Sequence, residues 1–265
     1  MLKAPKQIYS EIRESLYLIL RLSMYETKSM YSMQYLGFLW ELVTPILQIS
    51  VYWFVFGFGI REGRDIDGVA FLPWLVSGII VWFFISPAIT TTARSVYSRI
   101  GLVSKMSFPL STIPAYVLLS LLYRHFGMIL VSFVLLAFFG YYPGLHTFWL
   151  IYLLISAVAL LYALALLTSA LTTIIRDLQN LLMSVMRMML YLTPIFWLPT
   201  GWVQQVLQLN PLYYLVEGYR SMFLGTDWIV ENWEWGFYYW GIVLILFFVG
   251  SNVHMRFRRY FIDYI

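Results

Sequence analysis

FWLIYLLISAVALLYALALLTSALTTII, residues 148–175, carries no Asp, Glu, Lys or Arg and is closed off by Arg176-Asp177. A helix rises about 1.5 Å per residue and a bilayer's hydrocarbon core is about 30 Å thick, so roughly 20 such residues cross it. Working outward, other runs share this character. Leu42 to Ile60 is uncharged and ends at the charged, glycine-punctuated turn Arg61 to Gly68. Val69 to Ala93 leads into a basic stretch holding Arg94, Arg99 and Lys105, and a further run begins near Ser111 and stops before Gly140 to Gly144. Leu182 to Leu198 breaks at Pro199, and Trp235 to Met255 is followed by Arg256, Arg258 and Arg259. The sequence therefore predicts an all-α membrane protein of one domain, 1–265, with six spans at about 37–60, 69–95, 111–139, 148–175, 182–198 and 235–255.

The composition agrees. The 265 residues are 61% hydrophobic and 11% charged, against about 25% charged in an ordinary soluble domain. Too few charges exist to cover a water-soluble globule, which excludes a soluble fold, a disordered chain and a nucleic-acid-binding module. The net charge of +4 is instead the basic excess of loops that face anionic lipid. Without cysteine there is no disulfide, thiolate metal site or thiol nucleophile.

Basic residues orient the spans. Lys3, Lys6, Arg13, Arg21 and Lys28 precede the first, the connection after the second is basic without an acid, and three Arg in the tail face one acid, Asp263. The alternate loops differ: 61–67 holds two Arg and three acids, 140–147 has no formal charge, and 217–234 has one Arg and four acids. Both termini are expected in the cytoplasm, and the protein in the plasma membrane. Charges at Glu11, Arg13, Glu14, Arg21, Glu26 and Lys28 interrupt any signal-peptide core. The apolar residues among them, such as Ile12, Leu16 and Ile19, suit an amphipathic helix lying in the interface.

Two segments fit neither span nor free loop. Leu209 to Arg220 is too apolar for a loop and too interrupted to cross, and Asn210-Pro211 can stop one helix and start the next. A re-entrant helical hairpin between spans five and six is expected there, with an interfacial helix as the alternative. The connections at 97–110 and 172–181 are short, and no G-x-x-x-x-G-K-[ST] loop occurs. If the protein does energised work, the nucleotide chemistry belongs to another chain, for which these inward turns are natural docking elements.

Several patches, in order along nearly the whole chain, resemble the polysaccharide-exporting permeases of the ABC-2 transporter family. They are Tyr31 to Pro45 (YSMQYLGFLWELVTP), Leu102 to Pro109 (LVSKMSFP) with Ile113-Pro114, Arg176 to Asn180 (RDLQN), Thr193-Pro194-Ile195, and Asn210-Pro211 with Glu217 to Arg220 (EGYR). The resemblance implies a homodimer of permeases joined to two ATP-binding cassette subunits, which carry the ATP and Mg; this chain would bind no cofactor and hold no catalytic residue. It implies coupling helices at about 99–108 and 176–181, with Arg99, Lys105, Met106, Arg176, Asp177 and Gln179 toward the ATPases, and a gate helix within 1–36. Asn210, Pro211, Glu217 and Arg220 belong to the expected re-entrant hairpin, where Glu217 and Arg220 form a structural clasp or, alternatively, an outer gate. Within the family the pattern looks closest to the wall teichoic acid exporters. O-antigen and capsule exporters share the motifs, and a drug or small-lipid exporter is the other alternative.

Single residues carry two readings each. Arg124 lies well inside span three, where a central Arg costs about 2.5–3.5 kcal/mol on insertion scales and so faces protein or water. It is either a cationic station for a phosphate headgroup or one half of an ion pair. Arg187, near the start of span five, either shares that conduit or anchors the interface. Glu41 needs a cation, with Lys28 as the candidate. Glu217 and Arg220, three apart, can pair on one helix face. Tyr52, Trp53 and Phe56 in span one and Tyr191, Phe196 and Trp197 in span five are either sugar-stacking platforms along a conduit or helix packing. Asp227, Glu231 and Glu234 read as a solvated acidic patch before a divalent-ion site. His125, His146 and His254 show no metal-ligand spacing. A membrane enzyme would need clustered acids or histidines, and a secondary transporter buried acids and internal repeats; neither pattern is evident.

Overall fold

The computed structural model describes residues 3–31, 35–99, 101 and 109–258. Regular structure among them is helical, apart from one isolated bridge between Ile66 and Val69. The helices are α1 (Lys3–Glu14), α2 (Leu16–Tyr31), α3 (Trp40–Tyr52), α4 (Phe71–Ala93), α5 (Ser95–Ser98), α6 (Thr112–Ala137), α7 (Trp149–Ile174), α8 (Leu178–Met189), α9 (Gly201–Gln208), α10 (Pro211–Leu224), α11 (Trp228–Glu231) and α12 (Trp233–Phe257). A π-helix, Trp53–Ile60, prolongs α3. Among the described residues, five helical segments are long and apolar enough to cross a bilayer: Trp40–Ile60, Phe71–Ala93, Thr112–Ala137, Leu145–Ile174 and Trp233–Phe257.

The expected fifth span is different. Residues 182–198 do not form one long helix: α8 starts at Leu178 and stops at Met189. Pro194 has no N–H to give Leu190, and its ring excludes helical backbone at Thr193. The chain from Leu190 to Thr200 is irregular, yet Thr193 to Phe196 are buried. Side chains replace the missing helical bonds. Thr193 Oγ1 donates to Leu190 O (3.2 Å), Trp197 Nε1 to Tyr191 O (3.0 Å), Arg220 Nη2 to Pro194 O (2.5 Å) and Arg61 Nη2 to Phe196 O (3.1 Å). Irregular backbone inside an apolar bundle is tolerated only when its polar groups are satisfied in this way. Gln179 Nε2 donates to Thr90 O at one end of α4. The Arg220 guanidinium that holds Pro194 lies over the Trp74 ring near the other end. Residues 179–194 thus run antiparallel along most of α4.

In the N-terminal segment α1 and α2 are separated by a single irregular residue, Ser15, across which helical bonds continue from Ser15 N to Glu11 O (3.1 Å) and from Ile19 N to Ser15 O (2.9 Å). Ile19 of α2 packs in a buried cluster with Val96, Ile113, Tyr116 and Val117, and Ser23 Oγ lies 3.1 Å from Tyr123 Oη of α6. Glu26 pairs with Arg99. Glu11 of α1 accepts from Arg258 Nη1 (2.6 Å) and Ser111 Oγ (2.5 Å), which joins the N-terminal helix to the end of α12. Arg176 lies over the Tyr97 ring at 4.7 Å. Arg99, Arg176 and Arg258 mark one end of the bundle as basic. The segment at 176–181 is no separate helix: Arg176 and Asp177 form a turn and Leu178 opens α8. Of the other expected coupling helix, Arg99 follows α5, whereas Lys105 and Met106 lie outside the described residues.

Helices α7 and α12 pack closest. A Cβ on Gly250 would stand 2.8 Å from Ala163 O and 3.2 Å from Leu167 N, both backbone atoms that cannot turn aside. Gly250→Val is therefore expected to force the two helices apart, at the ~1–3 kcal/mol typical of overpacking. Gly241→Ala, on the same helix with open space at its Cβ, serves as the control. Thermal unfolding of the detergent-solubilised protein measures both.

Candidate functional site

Along α3, Glu41, Thr44, Gln48 and Tyr52 recur at three- and four-residue steps and so share one helix face. That face borders a cleft of about 810 Å³ whose other walls come from Met30 at the end of α2, Trp82, Phe83, Ser86 and Pro87 of α4, Arg124 of α6, Met186 and Arg187 of α8, and Leu190 just after it. Arg124 Nη1 donates to Glu41 Oε1 at 2.6 Å, with the two side chains 21% and 22% exposed. The partner of Glu41 is thus Arg124 and not Lys28. Arg124 is central in α6 by count, but this bond sets it level with the first turn of α3. The difference arises because α2 packs along the first half of α6, which therefore begins well before α3 does.

Arg187 also lines the cleft and is exposed, its Nε donating to Met183 O (3.3 Å) one turn back, with no carboxylate partner among the described residues. Two guanidinium groups and one carboxylate line the cleft, which leaves it cationic. Aromatic and small polar groups, Trp40, Tyr52, Trp82, Thr44 and Ser86, make up much of the remainder. Such a surface can hold an anion at its basic wall and an apolar or sugar face along its aromatic one.

A cleft of this kind in a bundle with one basic end fits a transport protein, and comparison with known sequences decides which. The pattern of the ABC-2 type transporter family matches residues 17–224. This chain belongs to the ABC-2 type transporter family. The permease resembles the O-antigen export system permease protein RfbA of Myxococcus xanthus, 26% identical over 214 residues that cover 78% of this chain and 80% of the relative. RfbA of Klebsiella pneumoniae is 24% identical over 90% of this chain and 91% of its own length. The inner membrane transport permease YadH of Escherichia coli K12 is 26% identical over 70% and 76% respectively.

In this ABC-2 permease the six aromatic residues singled out from the sequence separate. Tyr52 reaches the cleft. Phe196, 2% exposed, is a packing hub that meets Tyr52 edge-on (5.0 Å), stacks on Phe56 (4.5 Å, 11°) and touches Tyr191 (5.6 Å). Trp53 turns to Phe58 at 5.0 Å, and Trp197 is bonded to backbone. Thr44, Gln48, Trp82 and Ser86 also line the cleft; in the sequence, the helical spacing of Glu41, Thr44, Gln48 and Tyr52 signals the first two.

The hairpin residues form a second, buried polar centre. Asn210 caps α10, its side chain accepting from Leu212 N (3.0 Å), and Pro211 occupies the first turn. Glu217 Oε1 accepts from Arg220 Nη1 (2.5 Å), as the spacing of three predicts. The guanidinium also lies 3.8 Å from the Trp74 ring centre. A Cβ on Gly78 would come within 2.6 Å of Arg220 Nη2, so a glycine here is what admits the guanidinium. His146 Nε2 meets Asp227 Oδ1 at 3.0 Å on the surface. No group of three or more His, Asp or Glu positioned to hold a metal occurs among the described residues.

Proposed function

We propose that the permease carries a lipid-linked polysaccharide out of the cell, powered by two copies of a separate ATP-binding cassette subunit that hold the ATP and Mg. The observation that carries this is the cationic, aromatic-walled cleft of an ABC-2 permease whose relatives include two O-antigen exporters. The sugar–pyrophosphate headgroup would meet Arg124 and Arg187, and the polymer would pass between two protomers. In support of a homodimer, α3 and its π extension are barely covered within one chain, leaving Ile46, Leu47, Val51, Phe54 and Phe58 exposed.

With the irregular segment 178–198 as a crossing, the five long spans become six, which keeps both termini cytoplasmic, consistent with the contact between Glu11 and Arg258. Hairpin α9–α10 is then re-entrant from the outer side, with Asn210, Pro211, Glu217 and Arg220 in an outer gate. Arg99, Lys105, Met106, Arg176, Asp177 and Gln179 would receive the ATPase stroke. An O-antigen-type glycan is the better supported cargo. Wall teichoic acid, the expectation from motif pattern alone, has no counterpart among these relatives, and the cleft cations suit the headgroup phosphate of either.

Co-purification with a cassette ATPase, followed by ATPase assays with lipid-linked O-glycan and with lipid-linked teichoic acid, tests the reading. Stimulation by the glycan is expected, and Arg187→Gln should raise its half-saturating concentration roughly tenfold, about 1.4 kcal/mol. Stimulation by teichoic acid alone would reassign the cargo; uphill transport by the permease alone would end the reading.

A further inference from the structure

Glu41 and Arg124 stand on the wall between two spaces. Both line the cleft, and both line a second chamber of about 120 Å³ behind it. At ~30 Å³ per water that chamber has room for about four waters, or for one carboxylate group. His125 forms another part of its wall. That side chain is 2% exposed, stacked on Phe84 at 4.7 Å, and joined through Nε2 to Tyr219 Oη at 2.9 Å. Its Nδ1 is buried and has no hydrogen-bond partner among the described residues. Buried polar atoms are rarely left in that state. The ion pair itself is single-pronged, one Arg124 nitrogen on one Glu41 oxygen, where arginine commonly clasps a carboxylate with two. Glu41 sits in the first turn of α3, immediately after the short 3₁₀ turn Gly37–Leu39, and Gly37 has a φ of +49°.

We propose that Glu41 is an internal stand-in for the anionic headgroup. It holds Arg124 while the cleft is empty and gives it up to an entering pyrophosphate. Its carboxylate then turns into the chamber and accepts a hydrogen bond from His125 Nδ1–H. Tyr219 donates to Nε2 in that arrangement, which leaves the ring hydrogen on Nδ1, and no proton changes hands. The proposal rests on the cleft being the headgroup's entrance. Its consequence is selectivity: an anionic phospholipid with one phosphodiester charge competes poorly with a tethered carboxylate, whereas a pyrophosphate brings more charge and can clasp both arginines. Specificity against an abundant competitor commonly needs such an opposing element.

The test uses the full-length permease in phosphatidylcholine nanodiscs and equilibrium binding of farnesyl pyrophosphate, with farnesyl monophosphate, farnesol and inorganic pyrophosphate as comparisons. Glu41→Gln is expected to bind farnesyl pyrophosphate roughly tenfold more tightly and to accept the monophosphate. His125→Phe, which keeps the stack on Phe84, should weaken binding severalfold in the parent but not in Glu41→Gln, a coupling that a purely structural histidine would not produce. Glu41→Asp carries the same expectation to a smaller degree should Glu41→Gln not fold. Equal effects of His125→Phe in both backgrounds, or no gain from removing the Glu41 charge, overturns the stand-in while leaving the cleft reading intact. Binding indifferent to Arg124→Gln, or absent altogether, overturns both. Tighter binding of farnesyl than of inorganic pyrophosphate supports a lipid headgroup; equal binding overturns that part.

Discussion

Arg220→Ala is expected to cause the largest loss of stability of any single substitution in this permease. The residue is 3% exposed, and one guanidinium serves Glu217, the carbonyl of Pro194 and the face of Trp74. Removing it strands a buried carboxylate, which typically costs about 3–5 kcal/mol. It also leaves Pro194 O without a partner at the point where the chain has no helix to fall back on. Glu217→Gln with Arg220→Met removes both charges and should recover part of the loss, because the remaining defect is one unsatisfied carbonyl, about 1–3 kcal/mol. Thermal unfolding in detergent, together with the yield of folded protein, measures all three forms. A double variant no more stable than Arg220→Ala would mean that the pairing with Glu217 is not the source of the loss.

The second large effect is on transport. Arg124→Ala is expected to reduce export while leaving co-purification with the ATPase unchanged. A charged hydrogen bond to an anion is worth about 1.5–3 kcal/mol, roughly a 10- to 150-fold loss in apparent affinity. The substitution also leaves Glu41, 22% exposed, without its cation. Arg124→Ala combined with Glu41→Ala separates the two consequences. The double variant should regain thermal stability but not export, since no cation then faces the headgroup on that wall. Vesicle-based export with a quantified lipid-linked glycan is the measurement, and full export by the double variant would reduce Arg124 to a structural role.

The motif Thr193-Pro194 shows how far a hydropathy reading reaches. Residues 182–198 are apolar enough to suggest a span, and their course along α4 is consistent with a crossing. Apolarity reports only where a segment prefers to be. Whether it is helical there depends on where its carbonyls find donors, and those donors, Arg61 and Arg220, are supplied by other segments. The pairing of Glu217 with Arg220 was visible because it is local. The pairing of Glu41 with Arg124 was not, since 83 residues separate them and no periodicity registers such a contact.

Taken by itself, the order of residues determined that this is a helical membrane protein with a basic end, because charge depletion over about 20 residues has one stable solution in a bilayer. It also determined the family, through short motifs that survive in order, and the turn and helix start at Asn210 and Pro211, which depend only on neighbouring backbone. Tertiary structure alone decided that Arg124 is paired and borders the cleft, that Phe196 is a packing hub, and that the segment 178–198 is part helix and part tethered chain. Those outcomes rest on contacts between distant segments, and such contacts exist only once the helices have packed.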